Sequence, residues 1–179
     1  EEEVLLPTPW GDASHPALRG RLEGRPLWFL PRHGQPHSLP PHAINYRANL
    51  WLLKEVGVES VLSINAVGGM TAELVTGSLM VPNQVIDYTW GRQHTIYDGS
   101  LSADGFIGGL EHIDFSDPYA AGLRQSILSA AASAGVGCVD GGTYCATQGP
   151  RLESAAEIIR LRRDGGDVVG MTGMPETAL

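Results

Sequence analysis

The sequence has 179 residues, enough for one domain that buries a sizeable core. Twelve Lys and Arg residues stand against 20 Asp and Glu residues, giving a formal net charge of −8. This charge argues against a nucleic-acid or anionic-membrane partner, since either would favour a basic face. Hydrophobic residues make up 42% and charged residues 18%, which is typical of a globular chain and excludes a disordered one.

Targeting segments and cysteines indicate the cellular compartment of the protein. The sequence has no apolar run of about 18 residues and no basic stretch followed by an apolar core, so neither a membrane span nor a signal peptide is predicted. Cys138 and Cys145 fall within one predicted strand, which disfavours a disulfide between them. We therefore expect a reduced, cytoplasmic protein. The start at Glu1 and a helix that begins near Pro175 and still continues at Leu179 suggest that both ends are incomplete.

Hydrophobic spacing and the positions of Pro and Gly predict the elements of the first half. In chain order they are a loop over 1–17, a hairpin of strands over 18–22 and 26–31, a turn at 32–34, a helix over 44–56 closed by Gly57, and a buried strand over 60–64.

The second half continues with alternating strands and helices. The predicted elements are a strand over 79–87, a long loop over 89–117 carrying His94, Tyr97, His112 and Asp114, an Ala-rich helix over 118–134, a strand over 137–147, a helix over 153–164 with Ala156, Ile159 and Leu161 inward, a strand over 167–171 and a helix from Pro175. This alternation predicts an α/β fold around a mixed sheet. Because ligands of such sheets lie beyond the carboxyl ends of strands, we expect 65–69 and 171–172 near one cleft.

Three short segments could carry chemistry, and each also has an ordinary structural interpretation. Arg32-His33 follows a strand and could hold an anion, although such pairs are also common in surface turns. Gly68-Gly69 lets backbone N–H groups approach an anion or a flat ring, and it equally suits a tight turn. Glu153 could accept a hydrogen bond from a heterocyclic N–H or simply favour the start of a helix.

The remaining polar segments also have both an ordinary structural interpretation and a functional one. Met171 and Thr172 end a predicted strand, where they could pack in the core and cap the next helix, or lie under a sugar and on an anion. His33, His37 and His42 are separated by prolines, so no helical face gathers them and no zinc site is expected. The sequence contains no Gly-x-Ser-x-Gly elbow to support serine hydrolysis.

Taken together, these segments resemble the methylthioadenosine phosphorylase branch of the trimeric purine nucleoside phosphorylases. The matching motifs occur in order within residues 18–179: RHGQPH at 32–37, NYRAN at 45–49, NAVGG at 65–69, GPRLE at 149–153 and GMTGMPE at 170–176. The resemblance implies one nucleoside phosphorylase domain over 1–179, with a three-layer α/β fold whose central mixed β-sheet is flanked by helices. It also implies a cytoplasmic enzyme of purine salvage that forms a homotrimer with sites at subunit interfaces.

The reaction implied by this resemblance is phosphorolysis by a pentosyltransferase, with inorganic phosphate as co-substrate and neither a metal nor an organic cofactor. By resemblance, phosphate is bound by Arg32, His33, Thr172 and the backbone N–H of Ala66, and the nucleoside by Ala66, Val67, Glu153 and Met171, with His112 reaching the neighbouring subunit's 5′ pocket. The residue that protonates the leaving purine in this family is expected beyond Leu179, so no catalytic residue is assigned.

Glu153 determines which base we expect, because 6-oxopurine phosphorylases carry a Glu at the matching position and adenine-specific relatives a small hydroxyl residue. A 6-oxopurine has a proton on N1 that a carboxylate accepts, whereas adenine would leave the carboxylate unpaired, at a cost of about 1–3 kcal/mol or more. The chain thus resembles bacterial S-methyl-5′-thioinosine phosphorylases. The alternatives are an inosine/guanosine phosphorylase, a methylthioadenosine phosphorylase, and a nucleoside-binding homologue without turnover.

Overall fold

The computed structural model describes residues 2–97, 99 and 110–179, which separate into two compact units. Unit 1 comprises Glu1–Leu62, Arg92–His112 and Leu179, and unit 2 comprises Ser63–Gly91 and Ile113–Ala178. Much of the predicted 89–117 loop, at 98 and 100–109, lies outside the described residues. Within the described part of the chain, no helix is long and apolar enough to cross a bilayer.

Unit 1 contains a three-stranded antiparallel sheet and one α-helix. Its elements are β1 (Glu2–Val4), β2 (Ala17–Leu22), β3 (Arg25–Phe29), a 3₁₀ turn (Pro41–Ala43) and α1 (Tyr46–Glu55). The predicted hairpin is confirmed, since Leu18 pairs with Phe29 and Leu22 with Arg25. The loop predicted over all of 1–17 is wrong at its start, where β1 pairs with β2. A strand of three residues is too short to show alternation in the sequence.

The predicted helix over 44–56 is confirmed as α1. The Asn45 side chain caps its start by accepting a hydrogen bond from the Ala48 N–H at 3.2 Å. The Asn45 amide also donates to the Trp10 carbonyl at 2.7 Å, which ties the N-terminal segment to the helix. Ala48 and Leu52 are fully buried on the inner face.

Unit 2 contains a mixed sheet with helices on both faces. Its elements are β4 (Gly68–Gly69), β5 (Leu79–Val81), β6 (Gln84–Asp87), α2 (Ala121–Ser133), β7 (Cys138–Asp140), β8 (Thr143–Ala146), α3 (Ala155–Arg163), β9 (Val168–Gly170) and the short α4 (Gly173–Glu176). Four strands lie in the order β4-β9-β8-β6, with β4 antiparallel to β9 and the other pairs parallel. The mixed-sheet α/β fold is thus confirmed.

Each of two long predicted strands is divided into two. The 79–87 strand breaks at Pro82 into β5 and β6, and the 137–147 strand breaks at Gly141-Gly142 into β7 and β8. Pro82 has no N–H for a ladder, and both glycines have positive φ. The two free cysteines consequently lie on different strands, Cys138 on β7 and Cys145 on β8.

The core of unit 2 lies on both faces of β8 and β9, as the alternation of strand side chains requires. On one face, Cys145 and Val169 pack with Leu161 of α3. On the other face, Tyr144 and Val168 are buried in a cluster that includes residues of α4 and of neighbouring segments. The sheet is therefore rigid at the positions from which the functional segments extend.

Two burial predictions are wrong. Residues 60–64 form no strand, and Leu62 and Ile64 are exposed, because none of the described strands pairs with this apolar segment. In α3, Ile159 is exposed while Ile158 packs beside Leu161. The helix faces the sheet with positions 158 and 161, a spacing of three residues that fits one helical face.

Candidate active site

Polar groups gather where β8 and β9 end. Thr147 follows β8, and Met171 and Thr172 follow β9. The Thr147 N–H donates to the Gly170 carbonyl at 2.8 Å, so the two strand ends are joined by the last rung of the ladder. The carboxyl edge of the sheet therefore presents several functional groups from neighbouring strands, as expected for a ligand site of this class of fold.

The Asn65 loop contacts the end of β9 directly. The buried hydroxyl of Thr172 donates to Asn65 Oδ1 at 2.6 Å, and the Asn65 amide donates to the Ser63 hydroxyl at 3.2 Å. The Ser63 hydroxyl in turn donates to the carboxylate of Glu176, the last residue of α4. The expected proximity of 65–69 and 171–172 is thus confirmed, and Ala66, next to Asn65, is exposed beside this network.

Glu153 lies between β8 and α3, at a pocket of about 300 Å³. The Thr147 hydroxyl donates to Glu153 Oε1 at 2.6 Å. No described residue donates a hydrogen bond to the second carboxylate oxygen, Oε2. The pocket is lined by Tyr88, Trp90, Thr147, Gln148, Gly149, Arg151, Glu153, Glu157, Arg160 and Leu161.

The start of α3 holds the loop that carries Glu153. Ser154 and Glu157 form a capping box, and Arg151 pairs with both Glu157 oxygens at 2.8 and 2.9 Å. These contacts, led by the Arg151 hydrogen bonds, lower the pKa of Glu157 to about 2, and the same pairing raises the pKa of Arg151. Arg151 is therefore committed to Glu157, and Glu153 is left as the carboxylate of this loop with an available oxygen.

Gly149 lets the same loop pass close to Met171. Its φ of +60° lies in the left-handed region, and a Cβ there would collide with the Met171 sulfur. Gly149 accommodates both this backbone conformation and the close approach of Met171.

Tyr88 and Trp90 contribute to the pocket although sequence reasoning missed them. Burial and then the hydrogen bond from its hydroxyl to Asp164 raise the pKa of Tyr88 to about 12, so its phenol stays neutral. Trp90 is 72% exposed, and its backbone N–H donates to the Gln148 side chain at 3.2 Å. The signal that could have found both is their place directly after β6, which ends at the same sheet edge as β8.

Arg32 and His33 lie in unit 1, in the turn after β3. The His33 Nδ1–H donates to the Leu39 carbonyl at 2.8 Å, and the His33 ring stacks on His37 with centroids 4.0 Å apart. Nε2 is then the nitrogen left to face a ligand. His112, at the end of a unit 1 segment, is exposed. The roles of these residues stay predictions.

The described residues do not gather a metal site: no three His, Cys, Asp or Glu residues in 2–97, 99 and 110–179 are arranged to hold an ion. The features that converge at the sheet edge are instead hydroxyl groups, the carboxylates of Glu153 and Glu176, and a glycine-rich loop.

A mixed sheet with polar groups at its carboxyl edge is typical of α/β proteins that bind a ligand beyond the strand ends. Residues 2–179 match the family model described as the phosphorylase superfamily, and the chain belongs to that superfamily.

The chain is also similar to individual proteins of this superfamily. The chain is 52% identical to the probable S-methyl-5′-thioinosine phosphorylase of Pseudomonas syringae, over 99% of this chain and 70% of that protein. It is 42% identical to the 6-oxopurine nucleoside phosphorylase of Pyrococcus furiosus, over 100% of this chain and 66% of that protein. Methylthioadenosine phosphorylase from Schistosoma mansoni in complex with adenine has a TM-score of 0.91 and 31% identity, over 99% of this chain and 69% of that one. The chain thus spans about two thirds of these relatives' length.

Proposed function

We propose that the protein cleaves 6-oxopurine nucleosides by phosphorolysis, with S-methyl-5′-thioinosine as its preferred substrate. The nucleoside and inorganic phosphate give hypoxanthine and 5-methylthioribose 1-phosphate. The glycosidic bond breaks as the sugar gains oxocarbenium character, and phosphate forms the new bond at the anomeric carbon. Neither a metal ion nor an organic cofactor takes part in this reaction.

The observation that carries the proposal is the environment of the Glu153 carboxylate. Its Oε1 accepts a hydrogen bond from the Thr147 hydroxyl, its Oε2 receives none from the described residues, and Glu153 lines a pocket of about 300 Å³. An ionised carboxylate accepts the N1–H of a 6-oxopurine but faces only a lone pair in adenine. Leaving a buried neutral polar group without a partner costs about 1–3 kcal/mol, and leaving a charged carboxylate without one costs more. The site therefore favours the 6-oxopurine.

Phosphate binding is assigned to Arg32, His33, Thr172 and the Ala66 backbone N–H. A guanidinium binds phosphate through charge-assisted hydrogen bonds, and a histidine ring nitrogen can also contact it. The Thr172 hydroxyl, which donates to Asn65 Oδ1, would rotate to donate to a phosphate oxygen. Phosphate bound there is both the nucleophile and an anion beside the developing positive charge of the sugar.

The nucleoside is assigned to the remaining predicted residues. Met171 packs under the ribose, and Ala66-Val67 lie along the face of the base. Support comes from the position of Met171 next to Gly149, four residues before Glu153, which brings the sugar and base contacts to one edge.

The 5′-methylthio preference has a different basis from the base preference. It rests on the resemblance of segment 32–49 to the methylthio branch and on the relative from Pseudomonas syringae. The second candidate is an inosine/guanosine phosphorylase, which the Pyrococcus furiosus relative favours and which would use Glu153 in the same way.

The assembly is proposed to be a cytoplasmic homotrimer with sites at subunit interfaces, in which His112 reaches the neighbouring 5′ pocket. Two free thiols, Cys138 and Cys145, are consistent with a reducing compartment.

The test of this function is a substrate panel with and without phosphate, using the wild type and Glu153→Ser of the complete protein. We expect phosphate-dependent release of hypoxanthine from thioinosine, with kcat/KM above that for inosine and methylthioadenosine. Glu153→Ser should lower kcat/KM for thioinosine by tenfold to a hundredfold, roughly the loss of a hydrogen bond to a charged group.

The matched control is Glu73→Ser, which removes an exposed carboxylate elsewhere in unit 2 and should leave the panel unchanged. Ready cleavage of methylthioadenosine by the wild type would contradict the role of Glu153. Release of no base in the presence of phosphate would favour a nucleoside-binding protein without turnover.

A further inference from the structure

We propose that Thr147 is a positioning residue for Glu153 and thereby helps to select the base. This inference rests on the proposed function, in which Glu153 accepts the N1–H of a 6-oxopurine. Thr147 itself borders the pocket beside Glu153 but acts through the carboxylate.

The Thr147 hydroxyl has one proton and two acceptors within reach. Glu153 Oε1 lies 2.6 Å away and the Gly170 carbonyl oxygen 3.3 Å away. The shorter contact is to the carboxylate, as expected because hydrogen bonds to an ionised acceptor are shorter and stronger than those to a neutral one. The proton is therefore given to Glu153, and Gly170 serves as its alternative acceptor.

The position of this hydroxyl is set by the sheet. The Thr147 N–H donates to Gly170 at 2.8 Å, and the preceding residue, Ala146, is fully buried between the strands. A β-branched side chain has few accessible χ1 rotamers, so a fixed backbone also fixes the hydroxyl. Thr147 is thus anchored to β9, the strand whose end carries Met171 and Thr172.

The hydrogen bond from Thr147 restricts the orientation of the Glu153 carboxylate. With Oε1 engaged, Glu153 loses rotational freedom and keeps Oε2 as the oxygen for a ligand N–H. A carboxylate held in one orientation must face the N1 atom of whichever base binds, so adenine pays the full cost of an unpaired charge. A carboxylate that is free to rotate could point elsewhere when adenine binds. The fixed carboxylate therefore discriminates more strongly between N1–H and an unprotonated N1.

The experiment compares Thr147→Val with Thr147→Ser in the complete protein, measuring kcat/KM for thioinosine and methylthioadenosine. Val keeps the volume and branching but removes the hydroxyl, and we expect a loss of about tenfold or more for thioinosine. We expect a much smaller change for methylthioadenosine, so that the ratio of the two values falls. Ser restores the hydroxyl and should keep the ratio within about threefold of the wild type.

Two controls separate positioning from a general structural role. Thr143→Val alters another Thr of β8, whose hydroxyl makes no hydrogen bond with the described residues, and should leave the ratio unchanged. In a Glu153→Ser background, Thr147→Val should change the ratio by less than twofold, because the hydroxyl no longer has a carboxylate to orient.

The outcomes are distinguishable. An active wild type with an unchanged ratio in Thr147→Val, or an equal loss for both substrates, would overturn the role of Thr147 and leave the proposed function standing. A wild type that releases no hypoxanthine from thioinosine would overturn both. If Thr147→Val does not fold, Thr147→Ala takes its place, and thermal unfolding of each variant shows which values to compare.

Discussion

Arg32 and His33, which are predicted to bind phosphate, lie in a short turn after β3. The His33 carbonyl accepts the N–H groups of Ser38 and Leu39, at 3.0 and 2.9 Å, which closes the loop on itself. Because His33 Nδ1–H is used by the Leu39 carbonyl, only Nε2 remains to meet a ligand. A phosphate bound here would meet a guanidinium that donates and an imidazole Nε2 that accepts from a phosphate O–H, or donates once the ring is protonated.

Removal of the guanidinium tests this assignment. We expect Arg32→Ala to raise the KM for phosphate by tenfold to a hundredfold, since it deletes a charge-assisted contact. Initial rates at varied phosphate and saturating nucleoside measure the effect. Arg25→Ala, which removes an exposed positive charge from β3 of the same hairpin, is the matched control. A phosphate KM equal in Arg32→Ala and wild type would remove Arg32 from the site.

At the scale of the element, α3 is important because its first turn holds the Glu153 loop. The Ser154 side chain accepts from the Glu157 N–H at 3.3 Å, and Glu157 accepts from the Ser154 N–H at 2.7 Å. The helix therefore begins at a defined residue, and Glu153 precedes the cap immediately. The proposed contact of Glu153 with the base would therefore depend on the same turn of chain that stabilises the start of α3.

Ser154→Ala should lower the free energy of unfolding by about 1 kcal/mol, the usual cost of losing an N-cap. Denaturant unfolding measures this change. Ser126→Ala, inside α2, is the control and should not destabilise, because Ala is the better residue within a helix. Equal stability of Ser154→Ala and wild type would show that the cap does not hold this turn.

At the scale of the whole molecule, the residues predicted to bind phosphate are far apart in the chain. Arg32 and His33 belong to unit 1, whereas Ala66 and Thr172 belong to unit 2. His112, which ends a segment of unit 1, is assigned to a neighbouring subunit's site. Activity would then depend on assembly as well as on the fold of one chain.

Light scattering of the complete protein should give a mass of three subunits. We expect His112→Ala to lower kcat/KM for the nucleoside while the KM for phosphate stays unchanged, because the side chain is assigned to the 5′ pocket. His94→Ala, an exposed histidine of the same unit, is the control. A fully active monomer would rule out shared sites.

Several elements could be predicted because their signals are local. The β2–β3 hairpin follows from two apolar runs around a Gly turn, and α1 follows from the spacing of buried residues such as Ala48 and Leu52. Segment 60–64 has the composition of a buried strand, but burial needs a partner strand, and composition does not specify one. The orientation of α3 was missed by one residue for a related reason, since its face is set by the sheet below it.

Local sequence was sufficient for the α/β class, the strand ends that carry polar groups and the family motifs, because each depends on residues close together in the chain. The network of Thr172 with Asn65, the closeness of Gly149 to Met171 and the bond from Thr147 to Glu153 required the folded molecule. A hydrogen bond needs atoms within about 3 Å. That distance is reached here between residues up to 107 positions apart, such as Asn65 and Thr172, which spacing along the chain does not encode.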